Sequence, residues 1–250
     1  MREHQVLLIQ QMREVHREFP ELLLQKAEDG RFFVTGCLAF SVETEKGTIL
    51  EDAYQVKISI PPDYPQSVPT VREVGGRIPK EFHRHPHDGT LCLGAPLAVR
   101  MAFHKDRSLL GYIRNQVVPY LFAHSYNEEY EEMPYEQLPH GGEGILLYYR
   151  EVLGVNNILA VLGLLRVLVD DSYRGHYDCP CGSGRNLRKC HGPALLAVKD
   201  YQNQDDFLVD FLMILRHVTR TKDIEEFLSV LPLRLTEQLP KLGTVTSCRT

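Results

Sequence analysis

Three cysteines and one histidine fall within thirteen consecutive positions: Cys179, Cys181, Cys190 and His191. Sulfur and imidazole donors so close in sequence meet at one point only if the chain reverses between the two pairs. Gly182 and Gly184 stand where that reversal has to occur, and glycine adopts left-handed backbone without steric cost. Thiolate and imidazole suit tetrahedral zinc, and four protein ligands close the shell and leave no position for water. The expectation is a structural Zn2+ site whose metal supplies much of the folding energy of a small knuckle. The competing chemistry is a redox pair or disulfide, which nothing else in the chain favours, because no other feature marks it as secreted. Arg174, Arg185, Arg188 and Lys189 make the knuckle basic. They read as its solvated side, with a phosphate or an acidic partner surface as the alternative.

The order Cys-x-Cys, Ser183-Gly184, a basic residue, then Cys190-His191-Gly192 resembles the SEC-C motif. That motif is found at the C-terminus of the SecA translocation motor and is appended to many bacterial proteins. The resemblance implies bound zinc, an interaction module and a bacterial host.

A second informative stretch lies nearer the N-terminus. Tyr54, Val56, Ile58 and Ile60 alternate as in a half-buried strand. They run into Pro61-Pro62-Asp63-Tyr64-Pro65 and Val68-Pro69, and then into His85-Pro86-His87-Asp88-Gly89-Thr90-Leu91-Cys92-Leu93. Cys92 is thus an isolated soft nucleophile following a histidine-rich loop, the combination that thioester chemistry requires. Its bland reading is a buried structural thiol, since free cysteine is among the most buried residue types. Cys37 lies in a strand pattern and Cys248 in the tail, and both read as ordinary thiols.

The stretch resembles the ubiquitin-conjugating enzyme family, in which a strand leads to a Tyr-Pro turn, a His-Pro-Asn motif and a Gly-x-Ile-Cys-Leu active site. The order of elements agrees with the resemblance. Residues 3–18 read as an amphipathic helix with Leu7, Leu8, Gln11, Met12 and Val15 along one stripe. Residues 32–40, 53–60 and 70–74 read as strands. Ser108 is placed to cap a helix running through Leu109, Ile113, Val117 and Leu121, with Pro119 as a kink or early end. The resemblance implies that Cys92 carries an acyl group as a thioester, delivered by an activating enzyme, and passes it to an amine.

Two departures from that pattern matter. The usual asparagine is replaced by His87, and the loop is shorter, with His87 only five positions before Cys92. The oxyanion donor therefore stays open between His85 and His87, either of which presents a ring N–H. Loss of such a donor costs on the order of a hundredfold in rate, and a histidine in the role would bend the pH profile near pH ~6.5. Asp88 and His83 are candidates to orient or deprotonate the incoming amine. The bland reading of these side chains is a solvated polar loop. Resemblance further implies an anti-phage conjugation system, with a ubiquitin-like protein or a cyclic-oligonucleotide synthase of the cGAS type as acyl donor. The rival reading is a non-catalytic adaptor that docks proteins through the same fold and the knuckle.

Composition sets bounds. The 250 residues carry a formal charge of −5, which argues against nucleic-acid binding over the whole surface. The opening Met-Arg-Glu-His is too polar for a secretory signal. The most apolar run, residues 158–169, falls far short of the ~20 residues that span a bilayer, and reads as a buried helix. Six cysteines, three of them in the knuckle, fit a reducing cytoplasm. The expected fold class is α+β: a ubiquitin-conjugating-like meander over residues 1–130, a connector with helices over 131–172, the knuckle over 173–194, and C-terminal helices over 195–250. Helices are expected at 145–152, 195–218 and 223–231, with Pro134, Pro139 and the glycines after His140 breaking regular structure between the units.

Overall fold

Alternating apolar residues build one antiparallel sheet, a meander in the order β1-β2-β3-β4. Its strands are β1 (Leu22–Lys26), β2 (Phe32–Glu43), β3 (Ile49–Ile60) and β4 (Thr70–Glu73). The computed structural model describes residues 2–44, 47, 49–135 and 138–236, so Cys248 lies outside the described residues. The fold class is α+β, and the chain divides into two compact units, residues 1–137 and 138–250.

In the first unit one sheet face carries Val34, Leu38, Phe40, Tyr54, Val56, Ile58 and Val71, all buried. Register follows from that pattern: Val34 faces Ile58 and Gly36 faces Val56, and a slip of one residue would turn the whole apolar set into water. Gly36 has φ +145°, and a Cβ there would lie 2.0 Å from the Glu21 carbonyl oxygen, so only glycine fits the β1 edge. Helix α1 (Arg2–Glu18) lays Leu8, Met12 and Val15 into the same core. Gln11, on the expected stripe, instead accepts hydrogen bonds through Oε1 from the Tyr64 hydroxyl at 2.5 Å and the Leu109 N–H at 2.8 Å.

After the loop that bears Cys92 come α2 (Pro96–Lys105), α3 (Leu109–Tyr112), a π-helical turn (Ile113–Val117) and α4 (Val118–Tyr130). Ser108 caps α3 as expected, its Oγ accepting the Gly111 N–H at 2.9 Å. The helix does not end at Pro119. The missing proline N–H falls in the first turn of α4, and the wide π turn just before it absorbs the mismatch without breaking the rod. Strand β1 and helix α2 are additions to the expected elements: the one is short, and the other begins at Ala95-Pro96 with no capping side chain.

The second unit is helical: α5 (Gly142–Leu153), α6 (Ile158–Val169), α7 (Gly192–Val198), α8 (Gln204–Val218) and α9 (Leu233–Thr236). Asn157 caps α6, whose residues 160–165 are all buried. The expected continuous helix over 195–218 is two helices. Asn203 and Asp206 form a reciprocal capping box that starts α8 afresh, so the chain turns between residues 199 and 203. Residues Ile224–Val230 are 3-10 rather than α-helical. Among the described residues no single helix is long and apolar enough to cross a membrane; α5 and α6 meet that test only as a pair bent by 81°.

Candidate functional site

The knuckle is a hairpin zipped by its own backbone. The Cys179 N–H donates to the Arg185 carbonyl at 2.9 Å, the Leu187 N–H donates to the Tyr177 carbonyl at 2.8 Å, and Asp178 pairs with Asn186. At its tip the Gly182 N–H returns to the Cys179 carbonyl at 3.2 Å, with Gly182 at φ +78° and Gly184 at φ +69°. A 3-10 turn (Leu187–Lys189) anchored by buried Leu187 then drops Cys190 back beside the tip, and His191 follows as the N-cap of α7.

Four ligand atoms converge as a result. The sulfurs of Cys179, Cys181 and Cys190 and a ring nitrogen of His191 all lie within 4.8 Å of one another. Cys181 Sγ and Cys190 Sγ are 3.5 Å apart, and His191 Nδ1 lies 3.2 Å from Cys179 Sγ and 3.3 Å from Cys190 Sγ. Zinc–sulfur bonds of ~2.3 Å in a tetrahedron require sulfurs about 3.8 Å apart, so the cluster has the size of a metal shell. The donor set fits as well: three soft sulfurs and an imidazole, with no carboxylate among them.

Electrostatics differ from sulfur to sulfur. Burial pushes the Cys179 thiol up to about 11. Burial also acts against ionisation of Cys181, but the Ser183 hydroxyl and N–H outweigh it and bring that thiol down to about 7. The Ser183 hydroxyl, 3.4 Å from Cys190 Sγ, holds the Cys190 thiol below its ordinary value. The guanidinium of Arg185 donates to the same sulfur at 3.3 Å. Of these two donors, the spacing of the ligands announces neither; only the folded hairpin brings them to Cys190.

Residues 178–193 match the SEC-C motif. It is a zinc-binding motif, and the Cys179/Cys181/Cys190/His191 cluster lies inside the matched residues. No curated protein and no solved structure matches the chain. The SEC-C segment is therefore one identified module within a longer chain.

The second candidate site is built on the loop after β4. The Leu91 N–H donates to the Val71 carbonyl at 2.8 Å, which hooks the loop onto the sheet. Arg84 pairs with Leu91, and the His85 N–H donates to the Thr90 carbonyl at 2.8 Å, so residues 85–90 form a small closed turn. Asp88 makes that turn. Its Oδ1 accepts the Thr90 N–H at 3.0 Å and the Thr90 hydroxyl at 2.7 Å, and the Thr90 amide in particular holds its carboxyl below the usual range. Asp88 is thus a turn-maker in this geometry. His85 and His87 stand exposed at the turn.

Cys92 is half-buried. Its thiol lies 3.9 Å from the Gly94 carbonyl oxygen, and burial pushes its pKa up, with a Gly94 backbone hydrogen bond drawing it partly back. The Cys92 N–H is already engaged, donating to the His83 carbonyl at 2.7 Å. His83 itself sits at φ +38°, a left-handed conformation uncommon outside glycine.

Tyr120, which the sequence did not single out, completes the site. Its buried hydroxyl reaches the Phe82 carbonyl at 2.8 Å and the His83 carbonyl at 3.1 Å, the latter being the oxygen that holds the Cys92 N–H. Tyr120→Phe takes the hydroxyl from both carbonyls, leaving the His83 oxygen with the Cys92 N–H, and is expected to cost about 1–2 kcal/mol. Urea unfolding measures that cost. Alkylation of Cys92 at fixed pH should accelerate in the same variant, because the backbone that buries the thiol is less tightly held.

Proposed function

We propose that the first unit is a ubiquitin-conjugating-like acyl carrier and that the second unit is a helical docking module stabilised by a structural zinc ion. The observation that carries the first part is placement. A half-buried cysteine lies in the loop after a four-stranded meander, between an N-terminal helix and a C-terminal helical run, in the order of that family. For the second part it is the convergence of three sulfurs and one imidazole within a matched zinc-binding motif.

In the proposed reaction the Cys92 thiol loses its proton and the sulfur attacks the carbonyl of an incoming thioester. The carbon–sulfur bond to the donor breaks, and the departing thiolate takes up a proton. An amine then attacks the Cys92 thioester, a C–N bond forms as the bond between the acyl carbon and the Cys92 sulfur breaks, and the amine proton ends on that sulfur. Exposed His85 and His87 supply ring N–H groups at the mouth of the site once a substrate closes over the turn. The acyl donor is the C-terminus of a ubiquitin-like protein, or of a cyclic-oligonucleotide synthase in an anti-phage operon of the bacterial cytoplasm.

A specific observation favours the adaptor as second reading: the Cys92 N–H is already bonded to the His83 carbonyl, and burial pushes the thiol's pKa up rather than down. Co-expression with the neighbouring genes separates the two. Cys92→Ser should accumulate a hydroxide-sensitive oxyester adduct, visible by intact mass spectrometry, that Cys92→Ala lacks. Absence of an adduct from both variants would leave only the adaptor.

A further inference from the structure

We infer that Arg185 is the charge-balancing partner of the knuckle metal, acting on the ion through the sulfur of Cys190. The inference rests on the zinc reading above and concerns what this chain adds around the ligands. Three thiolates and a neutral imidazole around a divalent cation leave the centre with one excess negative charge. That charge sits on sulfurs of which two, Cys181 and Cys190, are partly exposed. Cys190 receives the Arg185 Nη2 at 3.3 Å and the Ser183 Oγ at 3.4 Å, and the first of these donors carries a positive charge.

The guanidinium contact is set by the fold rather than left to a free side chain. The Arg185 carbonyl accepts the Cys179 N–H at 2.9 Å, and the Arg185 N–H reaches the Ser183 hydroxyl at 3.4 Å. Both backbone polar groups of Arg185 are therefore tied into the hairpin that builds the shell. Arg188 lies three positions on and is also exposed, and its N–H is bonded to the Gly175 carbonyl at 3.0 Å. One arginine of the basic knuckle belongs to the metal centre; the other gives an internal control of equal charge.

Hydrogen bonds and positive charge on a coordinated thiolate lower its tendency to take up a proton and leave the metal. Partners of metal ligands change affinity by 10–100-fold, and exposure places Arg185 at the lower end. The full-length chain is titrated with cobalt(II), followed by its thiolate absorption, and the cobalt is then displaced with zinc. R185Q should weaken zinc binding about tenfold, while R188Q stays within about twofold of the parent. R185K keeps the charge but loses the planar fork, so it should fall between the two. Raising salt from about 0.1 to about 1 M should weaken the parent more than R185Q, because screening removes what the substitution has already removed.

Equal affinities for R185Q and R188Q would overturn the inference. If R185Q takes up no metal at all, R185K decides: recovered binding supports the charge role, and no recovery rejects it. A parent chain without a tetrahedral cobalt spectrum would sink the zinc reading itself, and the role of Arg185 with it.

Discussion

Cys190→Ser should strip the second unit of its metal, lowering bound zinc from one ion per chain to a small fraction. Cys190 supplies the contacts that close the shell, lying 3.5 Å from Cys181 Sγ and 3.3 Å from His191 Nδ1. A serine hydroxyl is a far weaker ligand than a thiolate and is protonated at neutral pH. Apparent binding energies for structural zinc are on the order of 10 kcal/mol or more, and in so small a knuckle that energy is folding energy. Loss of the ion should free the segment around residues 173–199, whose own apolar anchors are few: Leu187, Leu195 and Val198. Helices α5, α6 and α8 pack on one another, bear the buried residues Tyr149, Leu162, Leu165, Phe211 and Ile214, and should persist. Metal analysis with limited proteolysis checks both halves: zinc lost, new cleavage confined to the knuckle and α7, and most of the helical circular dichroism kept.

Asp210→Ala should cost the second unit about 3 kcal/mol, while Asp210→Asn should cost about 1. Asp210 is 1% exposed, on the inner face of α8. Its Oδ2 accepts the Tyr149 hydroxyl at 2.8 Å and the Gln202 amide at 3.0 Å. Alanine leaves the carboxylate's two buried donors short of this partner, and each unpaired donor costs about 1–3 kcal/mol. Asparagine keeps the shape and can still accept from Tyr149. Its NH2 then faces Gln202, whose Oε1 is buried without a partner and becomes an acceptor if the amide turns over. Chemical unfolding of the two variants should give midpoints in that order. Equal losses would show that the carboxylate charge, and not the acceptor geometry, is what the pair of helices requires.

What could be read from the chain alone divides along a physical line. Ligands adjacent in sequence are adjacent in space once a tight turn is granted, so Cys179, Cys181, Cys190 and His191 were legible before any coordinates. Helix α6 and the Ser108 cap were legible for the same reason, as their signals are local. The break at Asn203 was not, because an unbroken apolar stripe hides a capping box that works only when the chain turns. Strand β1 is five residues long with little alternation, and its place depends on pairing with β2. Tyr120 reaches the Cys92 loop across some thirty residues of sequence, through bonds that no spacing encodes. The same holds for Asp210, which appears in sequence as an acidic interruption of α8 and in the fold as the acceptor that joins α5 to the segment before α8.

The exposure of the Cys92 sulfur decides between an acyl carrier and a docking platform, and alkylation measures it directly. Folded protein is treated with iodoacetamide between pH 7 and pH 9, and modification is followed peptide by peptide by mass spectrometry. Because only the thiolate reacts and burial raises the Cys92 pKa, the rate at Cys92 should climb about tenfold per pH unit while pH stays below that pKa. Steady labelling of native protein with that slope supports the carrier. A Cys92 that stays unlabelled at pH 9 until denaturant unfolds the first unit would contradict it.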